Sequence, residues 1–284
     1  MTSERTRGQA RVAAVSDVHL GPELRGFLRP RLERVGQDAD VLLLAGDLTD
    51  CGTAAEARVV ADEFAGLGLP VIAVLGNHDY QSDQEAEVAR ILAGSGITVL
   101  DGSGTVLSLD GAGEAALRPG APPAPEGPEA PEGPEASDPQ AGLRLGVAGI
   151  KGFGTGFPGR CASEFGEPEM KAFVGHARDQ AAALGRALAD LDADIRIALT
   201  HYAPVPGTLA GEPPEIYPFL GSYFLAEAAE TAGADLFLHG HAHAGTERGS
   251  TPAGIQVRNV ALPVLRRPYA VYRVEAGGHV TDWA

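Results

Sequence analysis

Residues 41–50 read VLLLAGDLTD, and residues 71–79 read VIAVLGNHD. Each is a short apolar run that stops at a glycine and then turns at once to carboxylate, amide or imidazole side chains. A run of four or five aliphatic residues bounded by a turn signal predicts a strand buried on both faces, as in parallel sheets. Upstream, residues 11–19, RVAAVSDVH, repeat the arrangement. Helical spacing lies between the runs, at 23–35 with Pro30 inside it, at 54–67 with Gly68 as a stop, and at 82–93 with Ser82 as the cap. Shorter strands are expected at 97–100 and 105–109. Strand–helix alternation of this kind predicts an α/β fold with helices on the faces of a largely parallel sheet.

Downstream, strand-like sequence covers 143–148, 195–200, 235–239, 255–260 and 269–275, with helices at 169–191 and 220–232 and an irregular Gly-rich segment at 151–166. Residues 111–142 differ in character. They are rich in Pro, Gly, Ala and Glu and carry almost no apolar anchors to offset the entropy of ordering them. They are expected to form a flexible acidic loop within one domain spanning 1–284, because the motifs on either side belong together.

Composition bounds the function. A chain of 284 residues that is 44% hydrophobic has material for a sizeable core. Thirty-eight acidic against 22 basic residues give a net charge of −16, which repels phosphate backbones and argues against a nucleic-acid polymer as partner. A small anion held by a local metal ion remains compatible with that charge. Two cysteines, Cys51 and Cys161, do not make a disulfide scaffold. No segment has the length of a membrane span or the pattern of a signal peptide, so a cytoplasmic protein without a membrane partner is expected. Oligomeric state is not legible.

Five polar clusters each follow a predicted strand: Asp17-Val18-His19, Gly46-Asp47-Leu48-Thr49-Asp50, Gly76-Asn77-His78-Asp79, Thr200-His201 and Gly240-His241-Ala242-His243. In open α/β sheets, ligands bind beyond the carboxyl ends of the strands, so the five would converge on one rim. The donors are carboxylates, imidazoles and an amide, with no thiolate, which suits manganese, iron, zinc or nickel. Asp17 and His19, like His241 and His243, are two residues apart and point to the same side of extended chain. A carboxylate at Asp47, closing an apolar strand, is costly alone but is satisfied by bridging two cations. Each fragment alone is ordinary; their order and placement together are not.

This ordered set, Asp-x-His, Gly-Asp-x-x-Asp, Gly-Asn-His-Asp, His and Gly-His-x-His, resembles the calcineurin-like metallophosphoesterase superfamily. The resemblance implies a four-layer αββα sandwich and a two-metal phosphoric ester hydrolase. It places Asp17, His19, Asp47 and His243 on one metal and Asp47, Asn77, His201 and His241 on the other. It makes a metal-bound water or hydroxide the nucleophile of an in-line attack, His78 the general acid and phosphate contact, and Asp50 the carboxylate that orients His78. Cys51 stands where the Ser/Thr protein phosphatases have arginine. The sequence is closer to the bacterial branch that includes class III cyclic nucleotide phosphodiesterases, so a small phosphodiester, with a cyclic nucleotide as first choice, is the expected substrate. A phosphomonoesterase acting on a nucleotide or small metabolite is the alternative, and a non-catalytic metal-binding scaffold is the alternative of another kind. Lys151, Arg160 and Tyr202 are expected on the substrate wall with Asn77 and His78, and His239 is a candidate to orient a ligand.

Overall fold

The computed structural model describes residues 8–109, 115–118 and 142–283. The first sheet contains β1 (Gln9–Val15), β2 (Val41–Ala45), β3 (Val71–Val74), β4 (Ile97–Val99), β14 (Ala270–Glu275) and β15 (Val280–Trp283), in the order β15-β14-β1-β2-β3-β4. Strands β1 to β4 are parallel, and β14 and β15 extend the sheet antiparallel. The second sheet contains β5 (Ser103–Leu109), β6 (Ala115–Arg118), β7 (Leu143–Ile150), β10 (Ile195–Thr200), β11 (Leu236–His239), β12 (Arg248–Ser250) and β13 (Gln256–Asn259). Its order is β12-β13-β11-β10-β7-β5-β6, with β7, β10, β11 and β13 parallel. A separate hairpin joins β8 (Gly156–Phe157) to β9 (Arg160–Cys161).

The period of two along each strand builds the layers. In β2, Val41, Leu43 and Ala45 face the second sheet and share a core with Val12, Val74, Val147, Ile197 and Leu236. Leu42 and Leu44 face the other way, onto Val60 and Phe64 of helix Ala54–Phe64 and Leu92 of helix Glu85–Gly94. Across the second sheet, Ala148, Ala198 and Phe237 pack on Leu184 and Leu188 of helix Pro168–Ala189 and Leu225 of helix Tyr223–Ala232. The result is helix, sheet, sheet, helix, the four-layer sandwich expected. Because both faces of β1, β2 and β10 are apolar, a slip of one residue would exchange the two cores.

Several local expectations change. Residues 23–35 form no continuous helix: Pro22–Leu24 and Arg29–Arg31 are single 3₁₀ turns, and a one-turn helix follows at Val35–Asp38. Pro30 and Gly26 (φ 77°) interrupt the segment, and the buried Glu63 carboxylate accepts the main-chain N–H groups of Gly26, Leu28 and Arg29 instead. Ser82 caps no helix. The helix begins at Glu85, and the Ser82 hydroxyl donates to the Cys51 carbonyl at 2.6 Å. Helix Ala54–Phe64 is started by a capping box between Thr53 and Glu56. Within the expected loop 111–142, residues 115–118 form β6 on the edge of β5; apart from these and Gly142, the expected loop lies outside the described residues. No described helix is long and apolar enough to cross a membrane.

Candidate metal centre

The parallel strands deliver every cluster to one rim. Asp17 follows β1, Asp47 follows β2, Asn77 and His78 follow β3, His201 follows β10, and His241 and His243 follow β11. Main-chain bonds stitch these strand ends together: the Asp17 N–H donates to the Gly46 carbonyl (3.0 Å), His19 to Asp47 (3.1 Å) and Gly240 to His201 (3.1 Å). Asp17, His19, Asp47 and His241 have φ values of 54°, 42°, 49° and 69°. Such left-handed backbone costs about 1–3 kcal/mol per residue and clusters at functional sites. Glycines make the convergence possible. A Cβ on Gly76 would lie 2.1 Å from Asp47 Oδ1, and one on Gly240 would lie 2.3 Å from Asp17 Oδ2.

Two donor groups share one carboxylate. Asp17, His19, Asp47 and His243 offer atoms that all lie within 4.8 Å of one another, and so do Asp47, His201 and His241. In the second group, His201 Nε2 is 2.9 Å from Asn77 Oδ1, 3.1 Å from His241 Nδ1 and 3.3 Å from Asp47 Oδ1. The outer ring nitrogens are already used. His201 Nδ1–H donates to the Ala45 carbonyl at 2.9 Å, and His241 Nε2–H donates to the Phe219 carbonyl at 3.2 Å. The inner nitrogens therefore face each other, an amide oxygen and a carboxylate, an arrangement that a shared proton or a cation satisfies. In the first group, His243 Nε2 is 2.8 Å from Asp17 Oδ1, whereas the buried Nε2 of His19 has no hydrogen-bond partner. That orphaned nitrogen and the excess of lone pairs fit two divalent ions with N and O ligands.

Electrostatics without metal point the same way. Burial pushes the His201 imidazolium down, but Asp47 and then Asp17 outweigh it and raise the pKa to about 9. Burial pushes Asp47 up, yet His201 holds it well below the usual carboxylate range. His241 is lowered to about 3 by burial and by repulsion from His201. The raised His201 pKa favours a proton among these acceptors, at the place where a cation fits.

The expected partner of His78 differs. His78 Nδ1–H donates to the main-chain carbonyl of Asp50 at 2.7 Å, not to its carboxylate, which meets Cys51 Sγ at 3.5 Å. The cause is backbone approach at Gly52, whose vacant Cβ position lies 2.7 Å from the His78 carbonyl and 2.6 Å from that of Asp79. The two loops touch main chain to main chain, so a carbonyl reaches the ring. The Asp50 carboxylate still lies with His19 and His78 in a group whose donor atoms are within 4.8 Å. The His78 amide N–H donates to Asp47 Oδ1 at 2.8 Å.

Asp79 is a functional residue that the motifs contained without revealing its task. Fully buried, it accepts from the Thr49 amide (2.8 Å), the Thr49 hydroxyl (2.6 Å), the Gly76 amide (2.8 Å) and the Leu48 amide (3.2 Å). It ties the loop carrying Asp47 to the loop carrying Asn77. The signal was available: a carboxylate directly after Asn-His, with glycines before both ligands.

Lys151 and Tyr202 border the centre. The Tyr202 ring lies 4.5 Å from that of His241, and Lys151 Nζ sits 5.3 Å from the Tyr202 ring centroid, 5.0 Å from Tyr80 and 5.2 Å from Phe153. Burial lowers the Lys151 pKa, opposed by Asp101 and Asp47. Arg160 is exposed on the β8–β9 hairpin, which packs on residues 217–220. His239 does not reach a ligand side chain: Nδ1–H donates to the Gly240 carbonyl and Nε2 faces the Thr208 hydroxyl, each at 2.8 Å.

A sequence model of the calcineurin-like phosphoesterases matches residues 10–112, which hold Asp17, His19, Asp47, Asp50, Asn77 and His78. The structure is similar to that of the phosphopantetheinyl hydrolase PptH from Mycobacterium tuberculosis, at 15% identity over 90% of each chain with a TM-score of 0.54. It is also similar to GAP50, the anchor in the inner membrane complex of Plasmodium, at 10% identity over 97% of this chain and 84% of that one, with a TM-score of 0.53. No curated protein sequence matches the chain. The resemblance read from the motifs is borne out: the match over 10–112 is to the calcineurin-like phosphoesterases, whose reaction class is metal-dependent hydrolysis of phosphate esters, and the fold is theirs.

Proposed function

We propose that this chain is a calcineurin-like, two-metal hydrolase of small phosphate diesters, with cyclic nucleotides the first substrates to try. The observation that carries this reading is the Asp47 carboxylate shared by two donor groups, one with Asp17, His19 and His243, the other with His201, His241 and Asn77 beside it. When bound, two divalent cations supply Lewis acidity to the phosphoryl oxygens and acidify a water for attack. Asp17, His19, Asp47, Asn77, His201, His241 and His243 hold them. His78 is fixed by the hydrogen bond its main-chain N–H donates to Asp47 Oδ1 and by the one its Nδ1–H donates to the Asp50 carbonyl. Its Nε2 is left to bind a phosphoryl oxygen and to hold the proton that passes to the leaving alkoxide. The Asp50 carbonyl fixes the ring, while the Asp50 carboxylate lies within 4.8 Å of a His78 ring nitrogen.

The side chains around the centre, apart from the metals, favour a diester over a monoester. Among the described residues no arginine pairs with a ligand of the centre, and Cys51 holds a thiol kept protonated by its bond to Asp50. A diester carries one negative charge at neutral pH and asks less of such a site than a monoester dianion. The test is paired initial rates on bis-p-nitrophenyl phosphate and p-nitrophenyl phosphate, with manganese returned to metal-stripped protein. A higher kcat/KM on the diester is expected. A preference for the monoester would turn the assignment to a phosphomonoesterase, and inactivity on both would favour a metal-binding scaffold.

A further inference from the structure

A cavity of about 350 Å³ opens beside the metal centre, between the β3 loop, helix Glu85–Gly94 and the ends of β4 and β7. Leu75 and Tyr80 of its wall flank Asn77 and His78 in sequence, and Lys151 of its rim accepts the His201 N–H on its carbonyl at 3.0 Å. The cavity thus neighbours the centre: its Lys151 ammonium lies 5.3 Å from the Tyr202 ring, which lies 4.5 Å from the ring of His241. Its volume falls at the small end of ligand sites, room for one ring-sized organic group rather than an extended chain.

The lining gives it a chemistry. Leu75, Ala89 and Leu100 make an apolar floor, while Glu85, Asp101 and Lys151 stand around it. Lys151 makes no ion pair within 4 Å among the described residues; its ammonium rests among the rings of Tyr80, Phe153 and Tyr202, with only a long bond of 3.4 Å to the Gly152 carbonyl. Donor capacity on Lys151 is therefore unspent, and acceptor capacity waits on the two carboxylates. Two carboxylates against one ammonium repel a further phosphate, and the ammonium repels an amine. A neutral ring with hydroxyl groups and one apolar face satisfies all of them.

Resting on the diesterase reading, we infer that this cavity is the specificity pocket for the substrate's organic group: it takes a neutral, hydroxyl-bearing ring of pentose or nucleoside size, with Lys151, Asp101 and Glu85 as the residues that select it. Tyr80 couples the pocket to the centre, since its N–H bonds the Asn77 carbonyl at 3.2 Å.

The test uses three esters that release the same p-nitrophenolate from manganese-loaded protein: methyl p-nitrophenyl phosphate, thymidine 5′-(p-nitrophenyl phosphate), and the latter bearing a 3′-phosphate. Wild-type protein is expected to prefer the thymidine ester to the methyl ester by tenfold or more in kcat/KM, and to lose that gain when the 3′-phosphate is added. Lys151→Met, which removes the donor, and Ala89→Phe, which fills the floor, are each expected to cut the thymidine-to-methyl ratio at least tenfold, mainly through KM. Thermal melting checks that each variant is folded, and either variant alone suffices. Turnover of both esters with a ratio unmoved by a folded variant overturns the pocket and leaves the diesterase reading intact. A gain from the 3′-phosphate overturns the neutral-ring assignment. Turnover of none overturns the diesterase reading, and the pocket with it.

Discussion

Asp79→Ala isolates the latch between the two loops that present Asp47 and Asn77. The wild-type carboxylate accepts three buried amides, from Leu48, Thr49 and Gly76, and the Thr49 hydroxyl. Alanine leaves those donors without a partner, and each unsatisfied buried donor costs about 1–3 kcal/mol. The Thr49 hydroxyl is free to rotate, so the three amides carry the effect. Part of the gain in wild type is offset, because burial raises the Asp79 pKa and so penalises its charged form. The net expectation is a loss of about 3 kcal/mol, equivalent to roughly 6–12 °C in Tm for a chain of this size. Urea unfolding of metal-free protein gives the first figure and a thermal melt the second. Equilibrium dialysis against manganese should show at least tenfold weaker binding, since Asp47 and Asn77 are no longer held in register. A loss below 1 kcal/mol together with unchanged manganese affinity would refute the latch.

Three further outcomes are expected. His78→Ala should lower kcat on a diester by about 10²–10⁴ while both metals stay bound, measured by rate and metal content together. In metal-free protein, the His201 pKa raised to about 9 contributes stability that is full below its ordinary value near 6.5 and is lost as pH rises through 9. Metal must displace that proton, so apparent affinity should climb by up to about tenfold per pH unit over the same window, and a flat titration would count against it. Gly76→Ala should destabilise the metal-free fold and weaken manganese binding together, read by a thermal melt and by equilibrium dialysis, because its Cβ would lie 2.1 Å from Asp47 Oδ1 and 2.3 Å from the Asp47 main-chain nitrogen.

Much of this was legible because one device repeats. An apolar run as short as 41–45 or 71–74, closed by a glycine, reads as a doubly buried strand, and parallel strands carry the residues at their carboxyl ends to one rim. Asp17, Asp47, Asn77, His201 and His241 could therefore be placed together before their distances were known. The features that the sequence hid depend on contacts across the fold. The segment 23–35 has helical spacing, but Glu63, more than thirty residues away, captures its amides instead. Whether Asp50 meets His78 by carboxylate or by carbonyl is decided at Gly52, where two main chains touch. Asp79 looked like one more polar residue of its motif, because only the folded chain shows which amides lack another partner. The cavity at Lys151 draws its walls from segments far apart in sequence, and no local pattern announces it.

The central claim is that Asp47 bridges two cations. The direct measurement is metal content per chain after dialysis of metal-stripped protein against manganese, for wild type, Asp47→Ala and His241→Ala. Two ions per chain are expected in wild type, fewer than two in His241→Ala with the site at Asp17, His19 and His243 still filled, and little bound metal in Asp47→Ala. A single ion in wild type, or metal content indifferent to Asp47→Ala, would contradict the account.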